Sequence, residues 1–203
     1  MNFYGKVRKT FGGPLHKLFR LTVIGEENLP ERGGAIVCAN HTSLMDVLVL
    51  SCVLKRQVRY MAKKELFRLP LLGRLLKALG AFPVDRKGGD VGAIRRAVSI
   101  VNDGELLGVF PQGTRRPGEN PRSTTVQNGV GLIAYRSHCQ VIPAFLYTKK
   151  NKVRMFRPTV LIIGKPVEYG ELGFRNGGSD EYREAARTVF DRVCTLGEEY
   201  ETR

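Results

Sequence analysis

Hydrophobic and polar positions alternate along the chain with two different periods. Short apolar runs rich in β-branched residues predict buried strands, and apolar positions spaced by three and four predict amphipathic helices. The predicted strands span residues 21–24, 35–39, 58–62, 80–84, 106–110, 141–147 and 159–163. The predicted helices span residues 44–54, 66–79, 91–102, 128–137 and 180–200, and Ser43 is the predicted N-cap of the first of these.

The order of these elements indicates the fold class. Strands alternate with helices along the chain, which is typical of an α/β domain with helices flanking a central sheet. We therefore predict a single domain over residues 21–203 with a mixed, mostly parallel sheet. The chain has 203 residues, which is enough for one full hydrophobic core.

Residues 1–20 form a basic segment that precedes this domain. Apolar side chains recur there at spacings of three and four among lysines and arginines, which predicts amphipathic helix on either side of Gly12-Gly13-Pro14. Two interpretations stay open. Either the segment packs on the core of the domain, or it lies in the headgroup layer of a membrane as a basic docking helix.

The net charge bears on the partners of the protein. The 33 lysines and arginines exceed the 19 acidic residues and give a formal charge of +14. Such a surplus is typical of proteins that bind nucleic acid, an anionic membrane or a phosphorylated substrate, although basic proteins without such a partner are also common. The aromatic residues lie mostly within apolar runs and do not alternate with basic ones, so we expect no nucleic acid.

The sequence also bears on membrane spans, metals and cofactors. No stretch reaches the roughly 20 apolar residues of a spanning helix, so we expect peripheral attachment at the cytoplasmic face of the cell membrane. The four cysteines follow no metal-binding or disulfide spacing. We expect them to be reduced and mostly buried, and we expect no metal and no cofactor; they are Cys38, Cys52, Cys139 and Cys194.

His41 is the histidine that lies at a predicted strand-to-helix junction beside an acidic residue. Asp46 falls in the first turn of the following helix, and the bend can return its carboxylate to the imidazole. A carboxylate on one ring nitrogen sets the tautomer and raises the basicity of the other, which suits a general base for a hydroxyl nucleophile. Alternatively, His41 satisfies the turn and Asp46 stabilises the helix N-terminus.

Basic side chains follow three predicted strands at the point where each strand ends. Such ends can converge on one edge of the sheet, where ligands of α/β folds commonly bind, and arginine recognises phosphate with two hydrogen bonds. A solvated basic edge without a ligand is the alternative. The residues are Lys63, Lys64, Arg86, Arg115 and Arg116.

Four sequence blocks in a fixed order resemble those of the 1-acyl-sn-glycerol-3-phosphate acyltransferase family. Residues 40–46, Asn-His-Thr-Ser-Leu-Met-Asp, are similar to its His-x4-Asp block, and residues 80–86 to its second block, which ends in Arg. Residues 110–115, Phe-Pro-Gln-Gly-Thr-Arg, are similar to its Phe-Pro-Glu-Gly-Thr-Arg block, and residues 141–144 to its fourth, proline-containing block. The resemblance extends over about residues 20–165.

The resemblance implies a reaction in which no metal and no covalent acyl-enzyme take part. The His of the first block acts as general base on the free hydroxyl of a lysophospholipid, here 1-acyl-sn-glycerol-3-phosphate, and the Asp orients it. The hydroxyl oxygen attacks the thioester of acyl-CoA or of an acylated acyl carrier protein, giving phosphatidic acid for phospholipid biosynthesis. It also implies substrate-binding residues, namely Lys63, Arg86, Gln112, Gly113, Thr114 and Arg115.

The third block departs from the family pattern at Gln112, where Glu is usual. Gln keeps a carbonyl acceptor but loses the negative charge. If the usual Glu only accepts hydrogen bonds, Gln serves equally; if its charge pairs with an Arg or tunes the His, acceptor choice or activity shifts. Residues 127–129 also lack a basic residue that many relatives have.

Three functions therefore remain in competition. The first is bacterial lysophosphatidate acylation at an anionic membrane surface. The second is acyl transfer to another lysophospholipid or to a different hydroxyl or amine acceptor. The third is a non-catalytic basic protein that binds a membrane or nucleic acid, with no role for His41.

Overall fold

The computed structural model describes residues 3–85 and 90–202, with the backbone alone at residues 3, 4, 6–9, 11, 52 and 53. Helices alternate with strands over this part of the chain. The helices are α1 (Phe3–Leu18), α2 (Met45–Val53), α3 (Pro70–Ala78), α4 (Val91–Asn102), α5 (Gly129–Ser137) and α6 (Ser179–Glu201). The strands are β1 (Leu21–Ile24), β2 (Ala35–Ala39), β3 (Val58–Lys63), β4 (Ala81–Val84), β5 (Leu106–Val109), β6 (Val141–Tyr147) and β7 (Thr159–Ile163). Short 3₁₀ turns cover Glu26–Asn28, Lys64–Arg68, Pro121–Ser123 and Tyr169–Leu172.

The strands form one mixed sheet in the order β1-β7-β6-β2-β5-β3-β4. β2, β3, β4, β5 and β6 run in one direction, and β7 pairs with β6 in the antiparallel direction, with β1 parallel to β7. The prediction of a single α/β domain with a mostly parallel sheet is confirmed. β2 lies near the middle of the sheet, so the loop that follows it lies at the centre of the edge formed by the carboxyl ends of the parallel strands. This edge is called here the site edge.

Helices cover both faces of the sheet. α4, α5 and α6 pack on one face, around side chains such as Ile100, Ile133 and Phe190. α1, α2 and α3 cover the other face, around Leu50, Tyr60 and Leu161. The central strands are buried on both sides, which explains why β2, β5 and β6 read as continuous apolar runs and not as alternating ones.

Most predicted elements are present, and their ends differ by a few residues. The helix predicted over residues 66–79 is divided into a 3₁₀ turn and α3, because Pro70 starts a new helix and biases Leu69 towards an extended conformation. The prediction of Ser43 as N-cap is wrong. α2 begins at Met45, and Leu44 is its N-cap, although the Ser43 hydroxyl still accepts a hydrogen bond from the Met45 N–H at 3.2 Å.

α1 is one helix and not two. It continues through Gly12-Gly13-Pro14, where the sequence predicted a break. Leu15 and Leu18 pack against the core, and Phe19, which follows the helix, is 1% exposed. Tertiary packing of this end outweighs the poor helix propensity of the Gly-Gly-Pro run. The end of residues 1–20 is therefore part of the domain core.

Candidate active site

The chain leaves the sheet after β2 through a loop that Asn40 fixes. Asn40 is fully buried, and its amide bonds both backbone groups of Leu146 in β6. The Leu146 N–H donates to Asn40 Oδ1 at 2.8 Å, and Asn40 Nδ2 donates to the Leu146 carbonyl at 3.2 Å. These side-chain bonds replace the backbone hydrogen bonds that a longer β2 would make with β6. The chain can therefore turn away from β6 without leaving the buried backbone groups of Leu146 unpaired.

His41 and Asp46 meet at the site edge. His41 Nδ1 lies 2.8 Å from Asp46 Oδ2, and the side chains are 12% and 0% exposed. Asp46 also accepts hydrogen bonds from the backbone N–H groups of Thr42, at 2.6 Å, and Ser43, at 2.8 Å. Because the carboxylate accepts, Nδ1 carries the proton and Nε2 presents its lone pair. Among the described residues, Nε2 has no hydrogen-bond partner.

Aromatic stacking fixes the plane of the imidazole. The His41 ring stacks on Phe110 with centroids 4.1 Å apart and an interplanar angle of 17°. Phe110 in turn lies parallel to Tyr60, at 6.1 Å. The ring is thus held by Asp46 at its edge and by Phe110 at its face. A base needs such preorganisation in order to receive a proton from a bound hydroxyl group.

Gln112 is buried behind the catalytic loop. Its side chain is 3% exposed, and Oε1 accepts a hydrogen bond from the His41 backbone N–H at 2.6 Å. Nε2 donates to Thr124 Oγ1 at 2.9 Å, and that hydroxyl donates to the Pro121 carbonyl. Both ends of the amide are therefore bound within the protein. The structure gives Gln112 a position that supports His41, although sequence analysis placed it among the substrate-binding residues.

The turn after β5 lies against His41. The Arg116 N–H donates to the His41 carbonyl at 2.8 Å, and Gly113 adopts φ +70°, a left-handed conformation that favours glycine. Thr114 and Arg115 are exposed on this turn. The sequence predicted Arg116 only as one of the basic residues that follow a strand, because its contact with His41 runs through the backbone. Its Nε is buried without a hydrogen bond to any described residue, and its Nη1 lies 3.6 Å from Glu119.

Two of the other predicted basic residues, Lys63 and Lys64, lie further along the same edge. Lys63 is exposed at the end of β3, and β5 separates β3 from β2, so about 10 Å lies between the two strands. Lys64 forms an ion pair with Asp85, whose carboxylate raises the pKa of Lys64. Arg86 lies outside the described residues. The structure therefore brings the turn of Gly113–Arg116 to His41 and places Lys63 two strands away.

The described cysteines are unsuited to nucleophilic catalysis. Cys38, Cys139 and Cys194 are free and buried. Burial raises the pKa of the Cys38 and Cys139 thiols, and it raises the pKa of Cys194 to about 11. A thiol needs a lowered pKa to react as thiolate at neutral pH. Within residues 3–85 and 90–202 there is also no group of three His, Cys, Asp or Glu side chains that could hold a metal ion.

None of the described helices is long and apolar enough to cross a membrane.

Comparison with known proteins links this site to a family. The sequence profile described as Acyltransferase matches residues 20–147. A Bacillus subtilis 1-acyl-sn-glycerol-3-phosphate acyltransferase is 33% identical over 153 residues, which are 74% of this chain and 75% of that protein. A protein of the same description from Borreliella burgdorferi is 28% identical over 134 residues, 65% of this chain and 53% of its own length.

A solved structure shows the same fold. The crystal structure of the 1-acyl-sn-glycerophosphate acyltransferase PlsC from Thermotoga maritima matches with a TM-score of 0.68 and 28% sequence identity. The match covers 98% of this chain and 79% of that one. The matched profile includes His41, Asp46, Gln112 and Arg115, so the geometry described above lies within the shared region.

Proposed function

This chain belongs to the Acyltransferase family, and we propose that it transfers an acyl group from an acyl thioester to the free hydroxyl of 1-acyl-sn-glycerol-3-phosphate, forming phosphatidic acid. It is an enzyme of the acyltransferase class, and proteins named for the proposed reaction are similar to it over most of its length. The observation that carries the proposal is the 2.8 Å contact of His41 Nδ1 with Asp46, which leaves Nε2 as a base.

The reaction proceeds through proton transfer at His41. Nε2 removes the proton of the acceptor hydroxyl as its oxygen attacks the thioester carbonyl. Asp46 stabilises the resulting imidazolium, because the two groups then carry opposite charges. The new ester C–O bond forms, the C–S bond breaks, and the imidazolium returns its proton to the departing thiolate. The products are phosphatidic acid and a free thiol, and His41 regains its neutral state.

The turn after β5 provides a cation beside the base. Arg115 is exposed on this turn, and the Arg116 backbone binds the His41 carbonyl. A guanidinium group recognises a phosphate monoester with two parallel hydrogen bonds. In our proposal, Arg115 and Arg86 hold the acceptor phosphate, Lys63 assists them, and Gly113 and Thr114 shape the turn. Coenzyme A or acyl carrier protein carries the acyl group.

We also propose that the enzyme attaches peripherally to the cytoplasmic face of an anionic membrane. The net charge of +14 supports this proposal, and so do Lys6, Arg8 and Lys9 in the N-terminal part of α1. A membrane-bound enzyme finds its lipid acceptor at the surface where that lipid collects. Basic segments gain about 1 kcal/mol for each cation near an anionic membrane.

The deciding experiment follows thiol release. Purified protein is mixed with lysophosphatidate in detergent micelles, and acyl-CoA and acylated carrier protein are supplied in separate reactions. We expect release with the unaltered protein and a loss of at least about 10³-fold in His41→Ala, because the base is removed. His138→Asn is the matched control. His138 is exposed at the end of α5 with φ +47°, which asparagine tolerates.

Two outcomes would contradict the proposal. If the unaltered protein releases thiol no faster than His41→Ala with either donor, it does not catalyse this reaction. Faster release with a neutral acceptor than with lysophosphatidate would remove the phosphate-binding role of Arg115 and leave the acyl-transfer chemistry in place.

A further inference from the structure

The loop between β6 and β7 carries an unusual concentration of positive charge. Residues 148–158, called here the basic loop, contain five lysines and arginines and no acidic residue. The cations are Lys149, Lys150, Lys152, Arg154 and Arg157. Among the described residues, none of the five takes part in an ion pair. Their charge is therefore available to a partner outside the protein.

Two large apolar side chains stand between the arginines of this loop. Met155 is 53% exposed, and Phe156 is 72% exposed. Phe156 also adopts φ +60°, a left-handed conformation that is unfavourable for a bulky side chain. The exposure of these apolar side chains is unfavourable in water. The basic loop therefore presents two adjacent large apolar side chains to solvent.

The base of the basic loop is anchored beside the active site. The Val153 N–H donates to Thr42 Oγ1 at 3.3 Å, and the same Thr42 hydroxyl lies 3.3 Å from Asp46 Oδ1. Val153 itself is buried, so the base of the basic loop packs against the loop that carries His41. The basic loop therefore has a rigid base and an exposed apolar tip at the site edge.

The tip of the basic loop also contacts the end of α1. The Phe156 N–H donates to the Leu18 carbonyl at 2.5 Å. This bond holds Phe156 in its unusual conformation and connects the basic loop to the helix for which membrane attachment is proposed above. The active site, the exposed Met155–Phe156 tip and the end of α1 consequently lie along one side of the molecule.

We propose that the basic loop is a second membrane-docking element, which inserts Met155 and Phe156 into an anionic bilayer and seats the active site at its surface. The proposal rests on the proposed function, because it supplies the lipid acceptor to His41. A bilayer places anionic headgroups above an apolar layer, which matches cations around a Met–Phe tip. Nucleic acid offers phosphates but no apolar layer for Met155.

Fluorescence gives a direct test, because the sequence contains no Trp. Phe156→Trp creates a single reporter at the tip. With phosphatidylcholine vesicles that contain phosphatidylglycerol, we expect a blue shift of its emission and quenching by lipids brominated on their acyl chains. Asn102→Trp is the control. Asn102 is exposed at the end of α4, at the opposite edge of the sheet, and its emission should stay unchanged.

Vesicle binding of altered proteins gives a second test. Met155→Gln with Phe156→Asn removes the apolar tip while keeping a residue that tolerates the left-handed backbone. We expect the partition coefficient on anionic vesicles to fall about tenfold. Lys149→Gln with Lys150→Gln should lower it by about 10- to 30-fold. Arg95→Gln with Arg136→Gln, exposed on α4 and α5, should leave it within about threefold of the unaltered protein. Thermal unfolding checks that each variant is folded.

The outcomes separate this proposal from the proposed function. Unchanged emission of Phe156→Trp on anionic vesicles, or equal losses in the loop and control variants, would overturn the role of the loop even if thiol release is normal. A shift with duplex DNA or RNA but not with vesicles would overturn it in favour of a nucleic-acid surface. A lipid-dependent shift without any thiol release would support the loop and overturn the proposed reaction.

Discussion

Asp46 accepts hydrogen bonds from the His41 ring, from the backbone of Thr42 and Ser43, and from the Thr42 hydroxyl. The side chain is fully buried at the start of α2. A buried carboxylate requires this number of donors, because it would otherwise lose its hydration without compensation. One residue therefore serves two purposes: it shapes the loop after β2 and it orients the base.

Asp46→Asn separates these purposes. The amide oxygen can still accept from backbone N–H groups, but the neutral side chain no longer stabilises the imidazolium. We expect kcat to fall about 10²- to 10⁴-fold with little change in KM for the acceptor. Steady-state kinetics measure both parameters, and Asp103→Asn, at an exposed position, is the control variant. A kcat within about threefold of the unaltered protein would assign Asp46 a structural role only.

Gln112 is neutral where the family usually has Glu, and its contacts indicate which property of that side chain matters in this chain. The usual Glu either accepts hydrogen bonds or contributes a charge, and the position of Gln112 favours the first alternative in this chain. Its carbonyl binds the His41 N–H, and its amide binds Thr124. A carboxylate at this position would have no N–H to donate, and the Thr124 hydroxyl would have to turn away from the Pro121 carbonyl.

Two substitutions at Gln112 measure this support. Gln112→Leu leaves the His41 N–H without its acceptor, so we expect the free energy of unfolding to fall by about 2 kcal/mol. Gln112→Glu keeps the acceptor and should lose about 1 kcal/mol or less. Urea unfolding compares the two, and kcat is recorded for each. Equal losses of stability would show that the hydrogen bond to His41 contributes nothing.

At the scale of elements, Asp90 controls how α4 begins. Its Oδ1 accepts from the Ala93 N–H at 2.9 Å, which caps the helix. Its Oδ2 accepts from the Asp85 N–H, also at 2.9 Å. These backbone hydrogen bonds lower the pKa of Asp90, the bond from Asp85 most of all. The carboxylate therefore joins the end of β4, through Asp85, to the start of α4.

The lowered pKa of Asp90 predicts a pH-dependent contribution to stability. A carboxyl group whose pKa is lower in the folded state stabilises fully above its unfolded pKa of about 4, and the contribution is lost as the pH falls through the folded pKa. Asp90→Ala should therefore be less stable than the unaltered protein at pH 7, and the gap should shrink below pH 4.

The control for this prediction is Asp90→Asn, which caps helices nearly as well but does not titrate. Asparagine keeps only one of the two acceptor oxygens, so it should recover part of the stability that Asp90→Ala loses at neutral pH. Urea unfolding over a pH series gives the comparison. A stability gap between Asp90→Ala and the unaltered protein that stays constant from neutral to acid pH would show that the carboxylate charge has no part in it.

At the scale of the whole molecule, the five cations of the basic loop lie at the site edge and form no ion pair with any described residue. Arg122, by contrast, is paired with Glu198 and Asp191 on α6, at a cleft of about 360 Å³ on the other face. The basic loop supplies cations at the site edge, where the base opens. Unpaired cations beside the active site favour binding of the enzyme to an anionic surface.

Removal of positive charge from α1 tests whether this helix contributes to membrane binding. Deletion of residues 1–20 is a poor experiment, because it would remove the buried Phe19 from the core. The triple change Lys6→Gln, Arg8→Gln and Lys9→Gln leaves Phe19 in place, and we expect partition onto anionic vesicles to fall by about 100-fold. Cosedimentation measures it.

The matched control for α1 removes three exposed arginines from α4, α5 and α6, through Arg95→Gln, Arg136→Gln and Arg192→Gln. This variant lowers the net charge by the same amount, but on helices other than α1. If this triple variant loses binding as strongly as the α1 variant, general charge and not the N-terminal helix holds the protein at the membrane.

The sequence by itself determined the fold class, the helices and strands to within a few residues, and His41 and Asp46 as a candidate pair. These features are local. Apolar periodicity reports which face of an element is buried, and five residues across a strand-to-helix bend leave few places for Asp46. Family blocks in a fixed order added the chemistry, and the comparisons agree with that family.

Only the tertiary structure decided how distant segments support that pair. Gln112 lies 71 residues from His41, and Thr42 contacts Val153 across 111 residues. No local pattern predicts that Gln112 faces inward, that α1 continues through Gly12-Gly13-Pro14, or that the tip of the basic loop meets Leu18. Each depends on which strands are neighbours in the sheet, and strand order arises from packing the whole core at once.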